Sequence, residues 1–586
     1  MSCPCACVSL CPGNAIQPDS KKEAWSSDSS ATSKTMGKGG TCAATTVIII
    51  IIVLVLAAVC AVVVIFIVEE TQKETTTEET RTDPIGGVRT TQRPDVKTTA
   101  TTAATTTEIL PCDIDNGGCS HVCTPTQGSR ICSCPVGQLL RNDTVTCIYD
   151  YADVLNKSLL FYEAQRSGKL PDDNRIPWRG DSALDDQGEN GEDLSGGYYD
   201  AGDHLKLGLP MAWAATVLTW GFIEFRDAYE AAGQVDHMYD CIKWFTDYFI
   251  KCHTGENEFY AHVGSVSGDH GYWGRPEDMT MARPAYKLNE TLPGTDCVGS
   301  TVAALAAASI AFKDRDANYS ALLLQEAREL YTFAYDFRGN YGNSIPEAAT
   351  VYASTSFGDD ITWAAMWMYH ATHEQHYLDN ATDQFNRMPK KTPYAFGWGD
   401  VNSGHRLLLL KATGSSTYLN LITTKFVDKW LPGASLPYTT QGQVFRNEWG
   451  SLRYSTSTAF VALMTAHYGY KVDEYIEWAK TQVDIALGDT GRSYVVGFGV
   501  NPPQRPHHRS SSCPYPPDSC GWPVYRDDGP NHHVLHGALV GGPQDLNGYY
   551  DDLRDSHFMN EVTLDYNAGF QSALAGLKHF ELLGLL

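Results

Sequence analysis

Two aspartates three residues apart, Asp200 and Asp203, fall in the stretch Gly-Gly-Tyr-Tyr-Asp-Ala-Gly-Asp-His over residues 196–204. On a turn, that spacing can aim both carboxylates at one point, where an ionised carboxylate takes a proton from a water. A second acidic stretch, Tyr-Asp-Asp-Leu-Arg-Asp-Ser-His-Phe-Met-Asn-Glu-Val over residues 550–562, ends on Glu561 beside Val562 and close to Phe558. Apolar neighbours disfavour a charged carboxyl, so Glu561 suits the opposite task of donating a proton. Each segment alone also fits a helix cap or a solvated face. Proton transfer is the functional alternative at each.

Bringing two segments so far apart in sequence together takes a large folded unit. From about Tyr151 to Leu586 the chain shows helical periodicity, as in residues 301–312, 320–337, 361–372, 457–470 and 474–488, while alternating strand patterns are rare. Long loops rich in Gly, Pro and aromatic residues separate these helices. The pattern predicts an all-α domain whose loops build a cleft at one face.

Composition narrows the substrate. Aromatic residues make up 11% of the chain and charged residues only 19%, a balance that suits carbohydrate recognition. The formal net charge is −25, with 44 Lys and Arg against 69 Asp and Glu. Nucleic acid is excluded as a partner, because binding its phosphates needs a cationic surplus.

Residues 47–68 form an uncharged apolar run of 22 residues, enough at about 1.5 Å per residue to cross a hydrocarbon core of roughly 30 Å. Lys21, Lys22, Lys34 and Lys38 precede the run, and Glu69 and Glu70 follow it. The positive side stays in the cytoplasm, so residues 1–46 are expected as a cytoplasmic tail and 47–68 as a signal-anchor helix. The rest of the chain is then extracellular or lumenal, in a single-pass type II arrangement at the cell surface or in the secretory pathway. Residues 69–110 are dominated by Thr and are expected as a disordered, O-glycosylated stalk. Sequons at Asn142, Asn156, Asn289, Asn318 and Asn380 all fall on the outer side.

Residues 111–148 carry six cysteines, Cys112, Cys119, Cys123, Cys132, Cys134 and Cys147, with too little apolar material for a core. In an oxidising compartment they form a disulfide framework, for which six cysteines allow 15 connectivities. The spacing, the Asn-Gly-Gly-Cys-Ser-His-Val-Cys segment and the Cys-Ser-Cys-Pro ending resemble an epidermal growth factor-like module. That resemblance implies the pairs Cys112–Cys123, Cys119–Cys132 and Cys134–Cys147, and a surface for a protein partner.

The two acidic segments stand in order with three others: 273–284 (Trp-Gly-Arg-Pro-Glu-Asp-Met-Thr-Met-Ala-Arg-Pro), 447–454 (Asn-Glu-Trp-Gly-Ser-Leu-Arg-Tyr) and 499–509 (Gly-Val-Asn-Pro-Pro-Gln-Arg-Pro-His-His-Arg). Together they resemble the signatures of glycoside hydrolase family 9 across residues 150–586. The resemblance implies an (α/α)6 barrel and endo-hydrolysis of β-1,4-glucosidic bonds, in cellulose or related β-glucans, by inversion. It implies Asp203 as general base, Asp200 as the residue that helps hold the attacking water, and Glu561 as general acid. His507 and Arg509 are expected at the cleft floor and Asp552 as a supporting active-site carboxylate. His270, Trp273, Trp449, Arg453, Tyr454 and Tyr566 are expected along the sugar subsites. The sequence departs from the family pattern at His557, where an aromatic residue is usual, and at Ser265-Val266 before His270.

No cofactor is expected for the chemistry. Calcium is a candidate structural ion at Asp359, Asp360 and Asp400, whose carboxylates are hard oxygen ligands. Cys252-His253 resembles part of a zinc site in some bacterial members, but companion cysteines are not evident. Cys513 and Cys520 bracket a Pro-rich loop and are a candidate disulfide. The competing functional reading is a catalytically inactive adhesion or carbohydrate-binding surface protein.

Overall fold

The computed structural model describes residues 112–127 and 129–586. The segments read above as cytoplasmic tail, membrane helix and stalk lie outside the described residues.

Twelve helices build the large domain: α1 (Tyr151–Ala164), α2 (Gly208–Glu224), α3 (Val235–Cys252), α4 (Thr295–Phe312), α5 (Ala317–Asp336) and α6 (Gly358–Thr372), followed by α7 (Gln375–Arg387), α8 (Asn402–Thr413), α9 (Ser416–Ile422), α10 (Ser451–His467), α11 (Val472–Leu487) and α12 (Leu564–Leu582). The even-numbered helices touch in a closed ring, α2 to α4, α6, α8, α10, α12 and back to α2. The odd-numbered helices pack outside them, each against its inner neighbour. This is an α/α barrel of six inner and six outer helices.

Sequence explains the two rings. An inner helix has neighbours on every side and must be apolar or small all round. In α4, Thr-Asp-Cys-Val-Gly-Ser-Thr-Val-Ala-Ala-Leu-Ala-Ala-Ala-Ser-Ile-Ala-Phe, an 18-residue window is 89% buried. By length and composition α4 could cross a membrane, yet its apolar surface is spent inside the ring. Outer helices are amphipathic. In α3, Met238, Cys241, Ile242, Phe245 and Phe249 are buried at helical spacing, while Asp240 and Lys243 face solvent. At the barrel centre Trp220 of α2 meets Trp363 and Trp367 of α6 and Phe460 of α10, with ring centroids 5.4 to 5.7 Å apart. Burying such rings contributes on the order of 2–3 kcal/mol each.

The domain departs from the all-α expectation in a small antiparallel sheet, β5 (Lys206–Leu207), β6 (His253–Gly255), β7 (Glu258–Val263) and β8 (Ala285–Leu288), with β7 pairing the other three. Strands of two to six residues carry too few alternations to show a period in the sequence. The sheet holds both ends of the loop that carries His270 and Trp273.

The cysteine-rich module consists of two hairpins, β1 (Val122–Thr126) with β2 (Ser129–Ser133) and β3 (Gln138–Leu140) with β4 (Cys147–Tyr149). Its disulfides are Cys112–Cys123, Cys119–Cys132 and Cys134–Cys147. No linker follows. Ile148 and Tyr149 of β4 are buried in the domain core, and Asp150 caps α1 by accepting the Asp153 N–H (3.1 Å). Gly137 lies with φ +87° against the ring of Phe498, where a Cβ would come within 2.8 Å.

Candidate active site

The Asp200–Asp203 segment forms a closed turn at the start of β5. Asp200 N–H donates to the Leu205 carbonyl (2.9 Å), and the Asp200 carbonyl accepts from Leu564 N–H at the start of α12 (2.9 Å). The turn thus hangs from the inner ring. Its centre is Gly202, where a Cβ would lie 1.9 Å from the carbonyl oxygen of His507. Only glycine allows the loops bearing Asp203 and His507 to approach so closely.

Asp200 is buried and accepts a hydrogen bond on Oδ2 from the Tyr352 hydroxyl (2.6 Å). Burial and the adjacent Asp200 charge push Tyr352 well above its ordinary range, so it remains a donor. Asp203 is nearer the surface, with His270 Nε2 3.6 Å from its Oδ2 and Leu205 N–H 3.4 Å from its Oδ1. Burial opposes its charge, but the His270 contact and the field of Arg509 outweigh that and hold its carboxyl below the usual range. The same contact with Asp203 raises His270. Behind them Asp269 is buried and ion-paired with Arg509, and it also accepts the His204 N–H (3.1 Å). Asp203, Asp269 and His270 could in principle share a cation, since their ligand atoms lie within 4.8 Å of one another. Arg509 already supplies that positive charge.

Glu561 stands between the short helix His557–Asn560 and α12. Its segment pairs in parallel with that of His507, whose N–H donates to the Asn560 carbonyl (2.8 Å). Glu561 Oε2 accepts from the Trp449 indole N–H (2.8 Å) and the Tyr566 hydroxyl (3.4 Å). Trp449 packs on His557 and Phe558, with centroids 4.8 and 4.6 Å away. His557 thus fills its position as a flat ring against Trp449.

His507 joins the two halves. Its Nδ1–H donates to the Arg554 carbonyl (2.7 Å), which fixes the tautomer and leaves Nε2 an acceptor. Burial lowers its pKa and keeps the ring neutral. Arg554 is buried and donates to the carbonyls of Val524 (2.8 Å), Asp527 (2.6 Å) and Gly529 (2.8 Å) and to Asn531 Oδ1 (2.7 Å). Asp552 accepts the backbone N–H groups of Gln504 (2.8 Å) and Arg505 (3.1 Å), just before His507. Its observed contacts are with this loop rather than with the other acids.

The expected lining residues lie around these carboxylates. Trp273 is buried, donates to Ser512 Oγ (3.0 Å), and has the His507 ring 5.4 Å and the Arg509 guanidinium 5.7 Å from its own. Arg453 donates to Asp565 (3.4 Å) and to the Tyr454 hydroxyl, and its guanidinium lies 5.4 Å from the Tyr566 ring. The calcium candidates divide. Asp359 and Asp400 both accept from the Asn402 side chain (3.1 and 3.0 Å), whereas Asp360 turns to Ser300 of α4 (3.1 Å). Burial and the nearby Asp400 charge push Asp359 up to about 7. Cys513 and Cys520 are bonded.

Sequence reading missed Tyr352, Asp269 and Arg554. Tyr352 sits in an irregular loop with no motif. Asp269 adjoins His270 and could have been found from that adjacency to a proposed subsite residue. Arg554 lies inside the Glu561 segment, where its charge looks like an ordinary surface residue.

Residues 151–574 match the family model described as glycosyl hydrolase family 9, and residues 112–147 match the one described as the Coagulation Factor Xa inhibitory site. Endoglucanase A of Bacillus pumilus is 44% identical over 452 residues, 74% of this chain and 67% of that protein. Endoglucanase 10 of Arabidopsis thaliana is 39% identical over 461 residues, 73% and 87% of the two chains. Among solved structures, an endoglucanase from the termite Nasutitermes takasagoensis superimposes with a TM-score of 0.73 at 50% identity, covering 74% of this chain and 99% of its own. The cellulase Cel9M of C. cellulolyticium, solved with cellobiose, gives 0.69 at 35% identity over 74% and 99%. With the barrel and both acidic segments inside the matched residues, the chain belongs to glycosyl hydrolase family 9.

Proposed function

We propose that the chain is an inverting endo-β-1,4-glucanase. The observation that carries this is the meeting of the Asp200–Asp203 turn and Glu561 at His507, whose carbonyl abuts Gly202 and whose N–H pairs beside Glu561. Asp203, held ionised by His270 and Arg509, takes a proton from water. Asp200, fixed by Tyr352, holds that water as its oxygen attacks the anomeric carbon. Glu561 gives its proton to the glycosidic oxygen as the bond breaks. The observed donors to Glu561 converge on Oε2, so the transferable proton is assigned to Oε1. One displacement inverts the anomeric centre. Family 9 chemistry needs no cofactor.

The test is hydrolysis of carboxymethyl-cellulose by the full-length chain beside its Asp203→Asn and Glu561→Gln forms. Each substitution should lower kcat by about 10²-fold or more, and NMR should show the α-anomer first. Equal, negligible turnover in all three would leave the adhesion reading.

Calcium fits Asp359 and Asp400, two acids that share the Asn402 amide and have a single nearby cation among the described residues, the buried Arg406, and does not fit Asp360. The ion would brace the loop that places Trp398 4.8 Å from Tyr352. Chelation should then lower the thermal midpoint of the parent chain and leave Asp359→Asn unmoved. The membrane anchor and outer-side topology rest on the 47–68 run and its flanking charges. Protease accessibility of residues 112–586 on intact cells tests them.

A further inference from the structure

Away from the catalytic residues, the end of α1, the 165–175 loop and the solvent side of α3 enclose a groove of about 330 Å³, near the small end for ligand sites. Trp244 of α3 lines it, with its indole N–H fixed on the Gly197 carbonyl (2.8 Å). Arg166 also lines it, with its guanidinium 4.7 Å from the indole centroid. Arg166 is only 5% exposed, and its Nε has no hydrogen-bond partner among the described residues. A buried, incompletely paired guanidinium is costly to keep in a folded protein.

The charges in the groove select the ligand. Arg175 pairs with Glu163 (3.0 and 2.9 Å), and Lys243 pairs with Asp247 (2.7 and 2.8 Å). Arg166, which also feels the Glu163 charge, lines the groove together with His237 and two exposed acids, Asp173 and Asp240. An anionic ligand would meet both acids, and a cation would meet Arg166. A neutral polyol with one apolar face meets neither penalty. Carboxylates accept its hydroxyls, the guanidinium donates to them, and the indole covers the C–H face.

We propose that this groove is a second carbohydrate site, holding one or two glucose units of a β-1,4-glucan outside the cleft. The choice of glucan rests on the glucanase reading above. Two residues that line the groove, Trp244 and Arg166, are joined to the catalytic segment through a hydrogen bond and a chain neighbour. Gly197 lies three residues before Asp200, and Gln165, next to Arg166, donates to the carbonyls of Ala201 (2.6 Å) and Tyr199 (3.2 Å). A chain held there keeps neighbouring glucan near the cleft at raised effective concentration.

The test is calorimetric titration of the full-length Glu561→Gln chain with cellohexaose, alone and with Asp173→Ala and Asp240→Ala added. Two classes of site should reduce to one in the triple variant. On the active background, Asp173→Ala/Asp240→Ala should lower the ratio of swollen-cellulose to cellotetraose turnover about fivefold. A single class of site in the Glu561→Gln parent, or two classes surviving in the triple variant, overturns the proposal. So does an unchanged turnover ratio. Because the titration needs no hydrolysis, failure of the catalytic reading shows separately, as turnover retained by Glu561→Gln.

Discussion

Asp203 and His270 have opposite titration behaviour, and each sign follows from the other's charge. Asp203 is depressed, so its ionised form extends to lower pH than that of a free carboxylate, and its stabilising contact is lost as pH falls through the depressed value. His270 is raised, so its contribution is present below its unfolded pKa and is lost as pH rises through the folded value. Replacing His270 by Ala removes the contact that favours the Asp203 carboxylate. The acid limb of the kcat/KM profile should move to higher pH, as a pH–rate series would show, and an unmoved limb would mean that Arg509 alone sets the charge. The two aspartates were visible in the sequence because acid, glycine and aromatic residues crowd one short stretch. Tyr352 and Asp269 were not, because each acts through one contact across the fold, and a single tyrosine or aspartate in a loop has no local pattern.

At the scale of elements, the barrel was legible where helices were long and their burial one-sided, as in α5 and α11. Stretches of the inner helices α4, α6 and α10 were read as helical too, but a helix buried on every side has no stripe to say which ring it belongs to. The β5–β8 sheet was illegible for lack of length. The seam between the Asp200–Asp203 turn and the His507 loop depends on the single hydrogen at Gly202. Gly202→Ala forces a Cβ into the His507 carbonyl, so the loops must part. Such overpacking should destabilise by roughly 1–3 kcal/mol and should cut kcat by a larger factor than that loss of fold explains. Denaturant unfolding and steady-state kinetics on one preparation check it, with full activity in a folded Gly202→Ala chain as the contrary result.

For the whole molecule, the cysteine-rich module looks in sequence like a bead on a string, because cysteine spacing reports internal cross-links and says nothing of what lies next to them. The structure gives it a seat. Ile148 and Tyr149 belong to the domain core, and Phe498, which carries the contact with Gly137, lies on the chain leading to His507. Phe498→Ala should lower the thermal midpoint by several degrees, the response to about 3 kcal/mol lost from a core ring. Differential scanning calorimetry should show one transition for residues 112–586 rather than two, and an early separate module transition would contradict this.

The unbroken run from β4 through Asp150 into α1 also has a mechanical meaning. A pull on a glucan gripped in the cleft passes into α1 and then straight into a hairpin closed by Cys134–Cys147. With no slack joint at this point, the load is carried as tension and torque by paired strands and a covalent bridge. Were the chain held from its N-terminal side, drag from a glucan would turn module and barrel as one lever.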